Sequence, residues 1–272
     1  MSTDIYVTGT GMVGTRQFTR QVSSAFEQSE TVYLVHGQGT VRRQVADRYD
    51  ATVVDLTDEY EEGGPRDATY ERMAEAVLSG AADASEPVSF ALYGHPMVYV
   101  SPAQHVVERA PDRGLETTIY PGISAMDCLY VDLHLDPAAN GIQMFEATDL
   151  LLREFEPTPD VPLMLWQIGS VETELYSTAD NAPERFTRIR EYLQRFYPDD
   201  HTVYLLRTAT YPFTDSQQLP FQLSEFEAMH DRIGALHTLY VPPVRERPIR
   251  NEELAELVRS RDHLQRITTD DG

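Results

Sequence analysis

Short apolar runs alternate with amphipathic stretches through the first half of the chain. Strand-like runs fall at Asp4–Thr8, Thr31–Val35, Ala51–Leu56, Val88–Tyr93 and Glu116–Tyr120. Between and after them, apolar positions at helical spacing predict helices over Arg16–Glu27, Val41–Tyr49, Thr69–Ser79, Ala103–Arg109 and Ile123–Leu133. Alternation of this kind predicts an α/β fold with a parallel sheet covered on both faces. The punctuation Asp136-Pro137-Ala138-Ala139-Asn140-Gly141 places a domain boundary, giving an N-terminal domain over 1–136.

A second α/β domain is expected over 137–243, with strands at Ile142–Glu146, Leu163–Ile168, Thr202–Arg207 and Leu236–Val241. Glu184–Arg195 reads as a helix, and Phe221–Phe226 fits either strand or helix. Pro242-Pro243 stops the last strand, and residues 244–272 read as a charged tail with one helix over Asn251–Leu264.

Two strand-like runs in the first domain end in glycine-bearing turns one helix apart. Phe90-Ala91-Leu92-Tyr93 leads into Gly94-His95-Pro96, and Thr117-Thr118-Ile119-Tyr120 leads into Pro121-Gly122-Ile123-Ser124-Ala125. Small molecules bind at the carboxyl ends of strands in open α/β sheets, where glycine lets a ligand approach the backbone. A third glycine turn, Gly9-Thr10-Gly11-Met12-Val13-Gly14, formally matches a dinucleotide fingerprint. The second strand ends Val35-His36-Gly37, however, without the carboxylate that would hold an adenosine ribose, which argues against nicotinamide binding.

Composition narrows the function classes. The chain has 272 residues, a net charge of −22, and arginine for all 22 of its basic residues. That field repels nucleic-acid phosphates, and an acidic surface is expected to keep the protein hydrated in salt-loving conditions. No membrane span and no secretory segment are read from the sequence, so a cytoplasmic protein is expected. The single Cys128 excludes an internal disulfide and reads as a small buried hydrophobe. No compact ligand cluster forms among the eight histidines, so no metal is expected.

Five ordered segments, YGHPMVYVSP, YPGISAMDCL, MFEATDLL, LMLWQIG and TLYVPP, resemble the tetrapyrrole (corrin and porphyrin) methylase superfamily. Within it the chain is most similar to the borosin-type peptide α-N-methyltransferases, over about Ile5 to Pro243. The resemblance implies two α/β domains with the cofactor cleft between them and S-adenosylmethionine as cofactor. It also implies that Tyr93 faces the reactive methyl, that His95 and Val98 help hold the cofactor, and that Ser124 and Ala125 hold its methionine part. Gln167 matches a cofactor-contacting glutamine, and Tyr204 and Thr238 match positions that frame the adenine. The glycine turn at Gly9 would line the substrate side.

The same resemblance assigns catalysis to Tyr60, Arg66 and Tyr70 in EYEEGGPRDATYERM. A backbone amide nitrogen is a poor nucleophile until its proton is lost, and a cation beside a phenol favours phenolate. Tyr70 is the expected base, Tyr60 a relay, and Arg66 the partner of the developing imidate oxygen. Read from the residues alone, this stretch is also an ordinary acid-rich loop before a helix. Glu146 or Asp149, at a strand end, would touch substrate; equally, Thr148 or Asp149 would cap a short helix starting at Leu150.

The expected activity is methylation of backbone amides of a separate precursor peptide by a homodimeric enzyme, because the terminal HLQRITTDDG does not read as an acceptor sequence. Two alternatives stay open: methylation of a tetrapyrrole carbon, and a cofactor-binding regulatory protein without turnover.

Overall fold

The computed structural model describes residues 3–269. The first lobe contains β1 (Ile5–Gly9), α1 (Arg20–Glu27), β2 (Thr31–Val35), α2 (Gly39–Arg48), β3 (Thr52–Asp55), α3 (Arg66–Asp83), β4 (Val88–Leu92), α4 (Ser101–Arg109), β5 (Thr117–Tyr120) and α5 (Ala125–Asp132). Its sheet runs β3-β2-β4-β1-β5, and every neighbouring pair is parallel. β1 and β4 are buried at every position, as strands covered on both faces must be. One face packs Phe90, Leu92 and Ile5 against Met73, Val77 and Leu78 of α3.

Local sequence sets the ends of these elements. Thr19 Oγ1 accepts from Val22 N at 3.1 Å and starts α1 four residues later than the apolar pattern suggests. Residues Gly14–Gln17 form a separate 3-10 turn. Ser124 and Asp127 form a reciprocal capping box that fixes the start of α5 just beyond β5.

The second lobe contains α6 (Pro137–Asn140), β6 (Gln143–Glu146), α7 (Ala147–Arg153), β7 (Leu163–Trp166), α8 (Thr187–Gln194), β8 (Thr202–Arg207), β9 (Gln217–Gln222) and β10 (Thr238–Val241). Its order is β6-β7-β10-β8-β9, parallel only between β6 and β7. Phe186, Phe226 and Phe221 stack at the centre of its core. The ambiguous Phe221–Phe226 stretch divides between the end of β9 and a 3-10 segment over Leu223–Met229.

The expected single tail helix is instead two, α9 (Glu252–Leu257) and α10 (Arg261–Ile267). Ser260 separates them, because its hydroxyl caps α10 by accepting from His263 N. No helix among the described residues is long and apolar enough to cross a membrane.

A short ladder joins the lobes. Gly63 N donates to Tyr176 O, Tyr176 N to Gly64 O, and Arg66 N to Glu174 O, at 2.8 to 2.9 Å. Glu62 adds side-chain bonds from Ser177 and Thr178. The segment 173–178 of the second lobe therefore lies directly against the start of α3.

Candidate active site

The connection from β1 leads toward one edge of the first sheet and that from β4 toward the other, which opens a crevice at their carboxyl ends. Three glycines from three strand tips meet there. A Cβ on Gly122 would lie 2.3 Å from Gly94 O and 2.6 Å from Gly9 C, and one on Gly9 would lie 2.5 Å from Gly94 O. Only glycine permits this backbone-on-backbone packing. Gly94 has φ +73° and pairs with Gly11 across the crevice mouth.

Between the lobes this floor opens into a cleft of about 240 Å³. Tyr93, His95, Val98, Ser124 and Ala125 line it from the first lobe, and Gln167 and Thr238 from the second. Seven of the residues assigned from sequence are thus brought to one wall-to-wall space. Tyr204 is not: it lines none of the cavities and packs with Tyr240, ring centroids 6.2 Å apart, and with the apolar cluster around Trp166. Three residues back from the strand tip, it sits too deep in β8 to reach the cleft.

His95 Nδ1 accepts from Met97 N at 3.1 Å, which fixes the ring and leaves its other nitrogen uncommitted. Ser124 is committed: its hydroxyl donates to Asp127 Oδ2 and accepts from Asp127 N, so it offers the cleft its backbone and little else. Gln167 (φ 56°) and Tyr99 (φ 55°) both hold left-handed backbone conformations while lining the cleft. Strain of this kind costs on the order of 1–3 kcal/mol per residue and concentrates at functional sites. The Tyr99 ring lies 5.5 Å from Trp166, and burial pushes its phenol up to about 12, with Glu146 adding to the rise.

Tyr93 and Tyr99 form a shared wall with a larger groove of about 890 Å³. Tyr60 and Tyr70 stand in that groove with Tyr176, which stacks on Tyr60 at 4.6 Å; the Tyr60 and Tyr70 rings meet edge-on at 6.4 Å. Arg66 opens α3 one turn before Tyr70. Its Nη1 donates to Gln167 Oε1 (3.3 Å) and its Nη2 to Thr173 O (2.7 Å). The guanidinium is therefore tied to a residue of the cleft, and part of its five-donor fork remains free.

One expectation needs correction. An arginine beside the phenols was expected to favour phenolate, yet burial pushes the Tyr60 phenol well above its usual range, helped by Tyr70 and Tyr176, with Arg66 opposing only weakly. Burial does the same to Tyr93, whose hydroxyl has no partner. Tyr60 is consequently a proton donor at neutral pH.

The helix starts earlier than expected, at Ala147, and its cap is neither Thr148 nor Asp149 but Glu146, which accepts from Asp149 N at 2.7 Å, while Asp149 pairs with Arg153. Tyr99, Tyr176, Arg207 and His36 also line these cavities and were not singled out from sequence. Arg207 carried a readable signal, a charged residue closing an apolar strand. Tyr176 carried none, because its place depends on the cross-lobe ladder.

His36 lines the groove at 3% exposure, its ring edge-on to Tyr93 at 5.0 Å. Burial lowers it to about 4 despite Asp55. Among the described residues there is no cluster of metal-ligating side chains.

These features define a two-lobed α/β protein with a glycine-floored ligand cleft opening through a tyrosine wall onto a second groove. The chain belongs to the tetrapyrrole (corrin/porphyrin) methylase family, which it matches over residues 4–226. A relative from Lentinula edodes, named as a methyltransferase/ribosomally synthesized cyclic peptide lentinulin A precursor, is 31% identical over 260 residues, 94% of this chain and 61% of its own length. One from Gymnopus fusipes, named as the corresponding gymnopeptides precursor, is 31% identical over 240 residues, 87% of this chain and 56% of its own length. The chain spans 29% to 61% of the length of the curated relatives it matches. A uroporphyrin-III C-methyl transferase of Thermus thermophilus, solved in complex with S-adenyl homocysteine, superposes with a TM-score of 0.61 over 88% of this chain and 96% of its own, at 15% identity. That last likeness is one of fold.

Proposed function

We propose that this protein is an S-adenosylmethionine-dependent methyltransferase that modifies backbone amide nitrogens of a peptide supplied as a separate chain. One observation carries the reading: Arg66, beside Tyr60 and Tyr70, donates to Gln167 of the cleft, so the donor site is tied by a hydrogen bond to the side chains of the adjoining acceptor groove. The names of the peptide-precursor relatives support the acceptor class.

The chain's residues fit the donor. The close backbone packing of Gly9 and Gly122 under Gly94 holds Gly94 at the cleft lining, and Tyr93 and Trp166 each hold a buried polar atom without a partner. Tyr93, His95, Val98, Ser124, Ala125, Gln167 and Thr238 would hold the cofactor, which when bound supplies an electrophilic sulfonium methyl.

The groove handles the acceptor proton. Tyr60, kept protonated by burial, is placed to donate toward the neighbouring Tyr70 oxygen. Tyr70 then takes the amide proton as the base. The free N–H groups of Arg66 face the oxygen that gains charge as the amide becomes an imidate. Tyr176, stacked on Tyr60, and Tyr99, on the shared wall, limit water at the reacting atoms.

Incubating the purified protein with S-adenosylmethionine and peptides encoded beside its gene tests this. The expected result is a mass gain of one methylene per transfer, mapped to backbone nitrogen by fragmentation. Transfer to a porphyrinoid alone would replace the reading, and methyls appearing on the enzyme itself would replace the separate acceptor. The proposed homodimer is checked by sedimentation at high salt, where a 30.8 kDa species would refute it.

A further inference from the structure

Five arginines among the described residues are neither exposed nor fully buried: Arg66, Arg109, Arg185, Arg190 and Arg207. Four are engaged. Arg66 bonds Gln167 and Thr173, Arg109 bonds Glu71 and Glu75, Arg185 bonds Asn181 and the Gly169 carbonyl, and Arg190 bonds Glu227. Arg207 alone has no ion pair and no side-chain hydrogen bond among the described residues. In a chain with twice as many acidic as basic side chains, a half-buried cation left unpaired marks the place of an anion that is not part of the chain.

Its position says which anion. Arg207 closes β8 and lines both the cleft and the groove, facing the wall between them. Burial raises the Tyr93 phenol and Arg207 opposes that rise; burial lowers His237 and Arg207 adds to the fall, and all three line the cleft. The adjoining Thr208 reaches Cys128, one turn along α5 from Ser124 and Ala125. The acid nearest that turn, Asp127, is spent on the capping box and is not a partner.

We propose that Arg207 is the carboxylate anchor of the cleft and pairs with the methionine carboxylate of S-adenosylmethionine. This rests on the donor reading given above. A guanidinium takes a carboxylate with two parallel bonds, fixing orientation as well as charge. The carboxylate also separates two cations, the guanidinium and the sulfonium, that would otherwise repel each other in a site partly withdrawn from water.

Calorimetry with S-adenosylhomocysteine and with its analogue lacking the carboxyl group tests the assignment without any acceptor. The unaltered protein should prefer the carboxylated compound by about tenfold to a hundredfold, the range of a charge-assisted bond. Arg207→Gln should bind the two equally, at the affinity the unaltered protein shows for the analogue, which also reports that the cleft is still formed. Arg207→Lys should regain part of the preference.

Full preference retained in Arg207→Gln overturns the assignment. So does a variant that binds both compounds normally but shows a raised KM for peptide, which would move the anchor to the acceptor. Binding of both compounds without discrimination by the unaltered protein sinks the Arg207 pairing alone, whereas no binding of either sinks the donor reading with it.

Discussion

The cleft and the groove share a wall but are built from different materials. The cleft is a backbone construction: glycines at three strand tips, a capping box, and two residues in left-handed conformations. The groove is a side-chain construction, with phenols at Tyr60, Tyr70, Tyr93, Tyr99 and Tyr176 around a buried imidazole. Backbone can be displaced only by changing the fold, whereas phenols can be removed one at a time. Substitutions in the cleft should therefore act on binding and folding together, and those in the groove on the chemical step.

The largest effect expected is that of Gly122→Val, whose Cβ alone would stand 2.3 Å from Gly94 O. Donor affinity measured by calorimetry should fall by more than about a thousandfold, or the protein should fail to fold, because backbone on both sides cannot yield. Unchanged affinity would show that the three tips do not form the donor floor.

Tyr70→Phe should lower the transfer rate by about 10²–10⁴, the span of general acid–base catalysis, with S-adenosylhomocysteine affinity within about twofold of the parent. Normal turnover would remove the base from Tyr70.

A smaller effect is expected at His36. Its folded value, about 4, lies below the roughly 6.5 of an unfolded chain, so the unfolded state binds the extra proton between those limits. Stability contributed by the neutral ring is present above about pH 6.5 and is lost as pH falls toward 4. His36→Gln should lose about 2–3 kcal/mol less than the parent over that window in chemical denaturation, and identical slopes would refute the assignment.

The smallest effect is that of Tyr204→Phe, which should change donor affinity by less than about twofold, because the residue lines neither cavity. A tenfold loss would return Tyr204 to the cleft.

The first lobe was legible because its elements are set locally. Apolar runs such as Val88-Ser89-Phe90-Ala91-Leu92 mark strands buried on both faces, and glycine turns mark their tips. β9 was missed because Gln217-Gln218-Leu219-Pro220-Phe221-Gln222 is an edge strand with only Phe221 buried and a proline that an edge tolerates. The cleft residues were readable for the same reason as the tips that carry them.

What sequence could not supply was electrostatic sign and partnership. Proximity to Arg66 suggested an acidified phenol at the tyrosine pair, but at Tyr60 burial outweighs the cation, and burial is a property of the packed molecule. Tyr176 reaches Tyr60 from a loop more than a hundred residues away, which no spacing rule encodes.

The ladder between residues 63–66 and 174–176 makes the proposed proton-handling groove conditional. Neither half of the molecule owns it: the N-terminal half contributes Tyr60, Arg66 and Tyr70, and the other supplies Tyr176 and the carbonyl and amide oxygens that aim the guanidinium. Assembly thus works as a two-key lock. On the proposed function, loosening the Thr173–Thr178 strap slows transfer without altering a single phenol, which makes that strap the natural place to adjust rate while leaving the chemistry itself untouched.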